Sequence, residues 1–264
     1  MSPSIAIIGG GNLGISVAEG LLAGGFTGAD QITITRRNIA LLQPLQARGI
    51  SVTSDNRAAA RQAKIIVLAV KPFQVKDVLR EIAGSIDESQ TLVSVVTGVS
   101  LSELATELTG KTALFRAMPN TAIAIRESMT CIAYQEASAG QVEEVMNMFG
   151  QLGRVALIEE KLMNAATVLG ACGTAYAMRY IRANIQGGIE IGFDAATASL
   201  IAAQTVKGAA ELLLRKGTHP EYEIDKVTTP KGCTIAGLNE MEHQGFSSSL
   251  IKGISASYEK ILKG

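Results

Sequence analysis

Glycines at positions 9, 11 and 14 follow a short apolar run, Ile5-Ala6-Ile7-Ile8, and precede an amphipathic stretch carrying Leu13, Val17, Leu21 and Leu22. That spacing suits the diphosphate of a dinucleotide. The first glycine permits a tight turn, and the second lets the backbone approach the phosphates. The third lets a helix pack closely on the strand, its N-terminal N–H groups aimed at the ligand. Glycine runs also make ordinary turns; the strand before this one and the helix after it favour the nucleotide. A second run, Gln31-Ile32-Thr33-Ile34-Thr35, ends in Arg36-Arg37-Asn38. An NAD site usually places Asp or Glu there to hold the ribose 2′-hydroxyl. Two guanidiniums suit a 2′-phosphate instead, although two solvated arginines at a helix start would read the same way. The pair favours NADPH, with NADH a weaker substitute.

A second chemical stretch runs from Asp225 to Glu242, with Thr228-Thr229-Pro230-Lys231-Gly232-Cys233-Thr234 ahead of a helical pattern starting near Thr234. Free N–H groups at such a start favour an anion such as a carboxylate. An N-capped helix without a ligand has the same composition, so both readings stand. Acid–base chemistry has few candidates. Of the two histidines, His219 precedes Pro220 in a loop and His243 sits at a helix end, and both read as surface residues. Glu240 and Glu242 read as a solvated face. Cys131, Cys172 and Cys233 are far apart, which suggests neither a metal cluster nor a disulfide framework; Cys233 alone falls within a candidate site.

The elements that must position these groups come in two styles. In the first 160 residues, strand-like runs alternate with helical ones. Ile50–Thr53, the apolar run from Lys64 to Pro72, Thr91–Val96, Ala113–Met118 and Arg154–Ile158 read as strands, with Thr130–Tyr134 pairing near the fourth of them. Helical patterns fall around Leu41–Leu45, from Arg57 behind an Asp55-Asn56 cap, at Val75–Ile82, at Ser102–Leu108 with a Ser100–Glu103 capping box, and at Gln141–Leu152. This alternation implies an α/β doubly wound, Rossmann-like parallel sheet. After Glu159, long patterns follow at Leu162–Gly187, Ala195–Lys216 and Ser247–Leu262. They are apolar on more than one face, which implies an oligomer interface. The domains are therefore expected at 1–160, dinucleotide-binding, and 161–264, an all-α dimerisation and substrate domain.

Lys+Arg and Asp+Glu are both 24, hydrophobic residues are 47% and aromatic residues 4%, with no tryptophan. A balanced, aromatic-poor chain suits neither nucleic acid nor an anionic membrane. No apolar stretch has the length of a signal peptide core or a membrane span, so a cytoplasmic location is expected.

Beyond these readings, the chain resembles the pyrroline-5-carboxylate reductase family over nearly its whole length. The resemblance rests on Ile7–Gly14, Ala69-Val70-Lys71-Pro72, Arg116-Ala117-Met118-Pro119-Asn120-Thr121, Ile201–Ala210 and above all Val227–Leu238. It implies reduction of 1-pyrroline-5-carboxylate, a cyclic imine carboxylate, to L-proline with NADPH, in a homodimer or an assembly of dimers. By match, Gly9, Gly11, Asn12, Leu13 and Gly14 hold the pyrophosphate, Arg36 and Arg37 the 2′-phosphate, and Asn56 the adenosine side. Ala69, Val70, Lys71, Pro72, Met118 and Asn120 line the nicotinamide. Val227, Gly232, Cys233 and Thr234 bind the substrate; the Thr234 hydroxyl, facing the ring nitrogen, is the catalytic candidate. No metal is implied. Two motifs depart from the family pattern: Pro230-Lys231-Gly232 replaces Pro-Gly-Gly, and Ala171-Cys172-Gly173-Thr174 replaces Gly-Ser-Gly-Pro. A related imine or hydroxyacid reductase and a non-catalytic NADP-binding regulator are the alternatives; the first would want a lysine acid, and Ala171–Asn184 offers no clear one.

Overall fold

Strands buried on both faces favour apolar residues at every position, and Ile5–Ile8 and Ile65–Leu68 supply them. The computed structural model describes residues 3–108 and 110–263. Eight strands form one sheet: β1 (Ile5–Ile8), β2 (Ile32–Thr35), β3 (Ser51–Thr53), β4 (Ile65–Leu68), β5 (Thr91–Ser94), β6 (Ala113–Met118), β7 (Ser128–Gln135) and β8 (Gly153–Leu157). Their order is β3-β2-β1-β4-β5-β6-β7-β8. β1 to β6 pair in parallel, as expected of a doubly wound sheet. β7 turns back against β6 and carries β8 parallel to itself. The reversal has a local cause: residues 119–127 are too few for a parallel crossover, which needs a dozen or more.

Helices join the strands: α1 (Asn12–Ala23), α2 (Gln43–Gln46), α3 (Asn56–Gln62), α4 (Val75–Ile82), α5 (Leu101–Thr106) and α6 (Ala139–Gly150). Alternate residues of each strand feed opposite apolar layers. Ile5 and Ile7 pack with Val17 and Leu21 of α1, whereas Ala6 and Ile8 pack with Leu79 and Ile82 of α4. Several helix starts are fixed by side chains. Asp55 accepts from Ala58 N at 2.9 Å, and the Ser100–Glu103 capping box forms as expected. A second box, Ser138 with Gln141, moves the start of α6 to Ala139. The charged exception in the buried sheet is Arg116 on β6. Its Nη1 lies 2.9 Å from Glu160 Oε1, and that oxygen also accepts from Leu101 N, at 2.6 Å.

The chain divides into two compact units between Cys172 and Gly173. Met163 and Val168 are buried, and Met163 belongs to the layer containing Ala6 and Ile8, which holds the connecting segment to the sheet. The pattern read as one helix from Leu162 is broken. Short α7 (Met163–Ala166) passes into a π-helical turn, Thr167–Cys172, before α8 (Gly173–Glu190). The Thr167 hydroxyl donates to Met163 O at 2.8 Å, taking a carbonyl the helix would use. Asn120 Nδ2 donates to Gly170 O at 3.1 Å.

The second unit continues with α9 (Ala195–Lys216), α10 (Pro220–Val227), α11 (Cys233–His243) and α12 (Phe246–Leu262). Asp194 caps α9, accepting from the N–H groups of Ala196 and Thr197. Hydrogen bonds from Thr197 hold its carboxyl below the usual range. α10 is absent from the expected elements. Pro220 opens it, and His219, expected in a loop, caps it through Nδ1. α8 meets α9 where Gly188 faces Ala198, and Tyr176 OH lies 2.6 Å from Ser257 Oγ of α12. Met178, Leu200, Leu214 and Ile251 stay exposed.

Candidate active site

In an open α/β sheet, ligands bind beyond the carboxyl ends of the strands where strand order reverses. Here that point lies between β1 and β4. Ile8 pairs with Thr35 on one side and with Leu68 on the other. The residues that follow, Gly9, Arg36 and Ala69, therefore emerge at one level. They open onto a groove of about 890 Å³.

The glycines of the loop have separable roles. Gly9 has φ +116°, and a Cβ there would stand 2.5 Å from Ala69 O. Gly14 lies under the loop, where a Cβ would come within 2.1 Å of Gly9 O. Gly11 is the N-cap of α1 and offers no side-chain cap; no acidic residue occupies the first turn. A Cβ on Gly11 would meet no atom within 4 Å. The result is a cradle of free N–H groups at a positive helix end, which is what a pyrophosphate needs.

Eleven of the expected cofactor residues line the groove: Gly9, Gly11, Asn12, Leu13, Arg36, Arg37, Asn56, Ala69, Val70, Lys71 and Pro72. Arg36 is half-buried, and its Nη1 donates to Gly10 O at 2.7 Å. Arg37 is exposed, and its side chain has no ion-pair partner among the described residues. Asn38, next along, caps Ala40 N. The Arg pair thus splits its work: Arg36 braces the loop and Arg37 stands free. Gly14, Met118 and Asn120 are not in the groove wall. Met118 is buried, with Sδ 3.8 Å from Oγ1 of Thr97, a groove residue. Asn120 is engaged with its own surroundings: Oδ1 accepts from Ala122 N, Nδ2 donates to Gly170 O, and its backbone N donates to Ser128 Oγ.

Other wall residues were not among those expected, Thr35, Glu81 and Thr97 among them. Thr35 could have been suspected as the hydroxyl closing β2 ahead of the arginines. Glu81 sits on α4 and carries no local signal. Among wall residues, Arg36, Arg37 and Lys71 are cationic, and Asp77 and Glu81 anionic.

In the second unit, residues 229–232 form a turn closed by Gly232 N donating to Thr229 O at 2.9 Å. Lys231 occupies its third position with φ +61°, a left-handed conformation that usually calls for glycine. Gly232 is the N-cap of α11, and a Cβ there would strike Thr229 Oγ1 at 2.6 Å. Neither a side-chain cap nor an acidic first turn occupies that helix start. Cys233 and Thr234 are exposed in its first turn, and Val227 is exposed at the end of α10. Thr228 is committed elsewhere, its hydroxyl donating to Asp225 O at 3.0 Å. Among the described residues, no cluster of three His, Cys, Asp or Glu side chains could hold a metal, and no helix is long and apolar enough to cross a membrane. Burial pushes the Cys131 thiol up from its ordinary value, away from the thiolate that a nucleophile needs.

Comparison with known proteins bears on both units. The pyrroline-5-carboxylate reductase dimerisation profile matches residues 160–263. The profile described as NADP oxidoreductase coenzyme F420-dependent matches residues 4–98. Pyrroline-5-carboxylate reductase 1 of Dictyostelium discoideum is 46% identical over 97% of this chain; the chain spans about half of that relative, 49% of its length. Pyrroline-5-carboxylate reductase 2 of the same organism is 44% identical, covering 98% of this chain and 92% of the relative. The solved structure of a pyrroline-5-carboxylate reductase from Coxiella burnetii superposes with TM-score 0.93 at 27% identity, covering 100% of this chain and 98% of that one. With the glycine cradle and the arginine pair in place, these similarities settle the family: the chain belongs to the pyrroline-5-carboxylate reductases, the NADP-dependent oxidoreductases of proline synthesis.

Proposed function

We propose that this chain reduces 1-pyrroline-5-carboxylate to L-proline, holding NADPH in the Gly9–Gly14 groove and the substrate carboxylate at the start of α11. The observation that carries the cofactor half is the open cradle at Gly11 with Arg37 standing free at the same groove. A pyrophosphate fits the free N–H groups of Asn12 and Leu13, and a 2′-phosphate fits the guanidinium of Arg37 with Arg36 behind it. Asn56 takes the adenosine side. Ala69 to Pro72 are assigned to the nicotinamide, with Met118 and Asn120 behind the groove wall. When bound, NADPH supplies the hydride that reaches the imine carbon, while the C=N electron pair passes to nitrogen and gives a secondary amine.

The chain's own task is mainly positional. A protonated cyclic imine is already electrophilic, so orientation supplies much of the rate. Backbone N–H groups of Cys233 and Thr234 receive the carboxylate beside the turn that Gly232 closes, Val227 borders it, and the Thr234 hydroxyl serves the ring nitrogen. No side chain of shifted pKa is required. Homo-oligomerisation follows from the dimerisation profile. A dimer built through the second unit, alone or repeated in larger assemblies, would cover its exposed apolar residues. Cytoplasmic residence fits three cysteines with no disulfide among the described residues.

The test follows NADPH absorbance with racemic pyrroline-5-carboxylate; absence of turnover at millimolar substrate refutes the reading. Thr234→Ala is expected to lower kcat/KM for substrate by about 100-fold with NADPH affinity nearly intact; equal loss of both would displace the substrate site. Replacing Arg36 and Arg37 together by Ala is expected to weaken NADPH by about 100-fold, as loss of charge-assisted contacts predicts, and NADH by much less. Similar losses for both cofactors would remove the 2′-phosphate assignment.

A further inference from the structure

A carboxylate is an unexpected lining for a groove that receives a polyanion, yet Glu81 of α4 is there. Its Oε2 accepts from Asn56 Nδ2 at 2.9 Å. Asn56 Oδ1 accepts from the Thr35 hydroxyl at 2.7 Å. Thr35 Oγ1 accepts in turn from Gly9 N at 3.3 Å. Each donor points the same way, from the first glycine of the loop through β2 and α3 to a charge on α4. Chains of hydrogen bonds aligned head to tail polarise one another, and one ending on an anion is stronger than its neutral equivalent.

We propose that Glu81 is a positioning residue for the cofactor loop. By accepting from Asn56 Nδ2, it fixes which end of that amide faces Thr35. The amide oxygen then takes the hydroxyl proton of Thr35, which leaves the Thr35 oxygen free to accept from Gly9. Gly9 is the residue with φ +116° on whose carbonyl Gly14 closes, so the relay ends on the most constrained backbone of the cradle. Without Glu81 the Asn56 amide can turn over and offer Thr35 a donor, and the hydroxyl then loses its reason to point away from the loop. Arg57 Nε also donates to the backbone carbonyl of Glu81, at 2.9 Å; that contact survives any substitution at position 81 and keeps α3 and α4 together.

The inference rests on the assignment of this groove to NADPH, and it makes a signed prediction. A carboxylate that was only a neighbouring charge would repel the cofactor, and its removal would tighten binding. A relay predicts the opposite. By fluorescence titration, Glu81→Ala is expected to weaken NADPH about tenfold, while kcat at saturating cofactor and KM for substrate stay within about twofold. Glu81→Gln retains an oxygen that accepts from Asn56 and is expected to recover most of the loss, to within about threefold of native. In a Thr35→Val background, where the relay is already cut, Glu81→Ala is expected to add less than about twofold. Unchanged or tighter NADPH binding in Glu81→Ala overturns the proposal, as does full multiplication of the Thr35 and Glu81 effects. Should Glu81→Ala unfold, Glu81→Met, which likewise offers Asn56 no acceptor, carries the same cycle with Thr35→Val. If both arginine replacements leave NADPH untouched, the groove assignment itself has failed; if they act while Glu81 is inert, only the relay has failed.

Discussion

Gly14→Ala is expected to eliminate NADPH binding and to destabilise the first unit by roughly 3 kcal/mol or more, the range of overpacking into rigid backbone. The added Cβ would lie 2.1 Å from Gly9 O and 3.2 Å from Ile7 Cγ2. The nearest atom is a main-chain carbonyl and cannot swing aside. Either α1 lifts from β1, exposing Val17, Ala18 and Leu21, or the Gly9 peptide rotates and the cradle is lost. Gly11→Ala is the control, because its Cβ meets nothing within 4 Å. That variant is expected to keep the native Tm and still lose cofactor affinity, since the methyl enters the space where backbone must approach the pyrophosphate. Thermal unfolding and NADPH titration on the two variants separate the roles. A Gly14→Ala protein with native Tm and native affinity would refute the close-packing account.

The second large effect falls on Glu160. Its carboxylate serves two buried donors, Arg116 Nη1 and Leu101 N. The Arg116 side chain is 8% exposed and that of Glu160 33%. Among the described residues, Arg116 Nε has no partner, so this guanidinium depends on few contacts. Glu160→Ala leaves a buried charge and the first N–H of α5 without an acceptor. Breaking a buried pair from one side costs up to 3–5 kcal/mol, and water reaching the one-third exposed position lowers the expectation to about 2 kcal/mol. Arg116→Met is expected to cost less than about 1 kcal/mol. It removes the buried charge and fills its volume, while Glu160 keeps Leu101 N and water. Denaturant midpoints on both variants check the asymmetry; a larger loss in Arg116→Met would reverse the argument.

Much of this molecule is legible locally. Val75–Ile82, Ala113–Met118 and Ala195–Lys216 form as their patterns indicate, because each carries a complete periodic signal with its own punctuation. The groove beyond β1 is legible for a related reason: Gly9, Arg36 and Ala69 directly follow strand ends. What escapes has partners far along the chain. At the π-helical turn Thr167–Cys172, the Thr167 hydroxyl bonds locally to Met163 O, while Gly170 O accepts from Asn120, fifty positions away. Glu81 enters the groove wall through Asn56 and Thr35, each from a different element, so no window of sequence contains the relay. α10 is eight residues long, and its opening proline, between Thr218 and Thr228, reads as loop. Lys231 gives no sign that its backbone is left-handed; only the closing bond from Gly232 N to Thr229 O reveals the turn.

The register of β1 has a consequence for how this groove tolerates change. Ile8 lies level with Thr35 and Leu68 at once, so one strand serves as the datum for both banks. The elevation of Gly9, Arg36 and Ala69 is set by main-chain pairing and is indifferent to which branched aliphatic fills each position. Exchanging Ile for Val along β1 or β4 can proceed without moving the mouth of the site. Inserting a single residue within Ile5–Ile8 shifts it against both neighbours together and turns every side chain to the other layer. Sequence drift is therefore absorbed in substitutions and refused in length, and the four residues of β1 hold the groove level by their number.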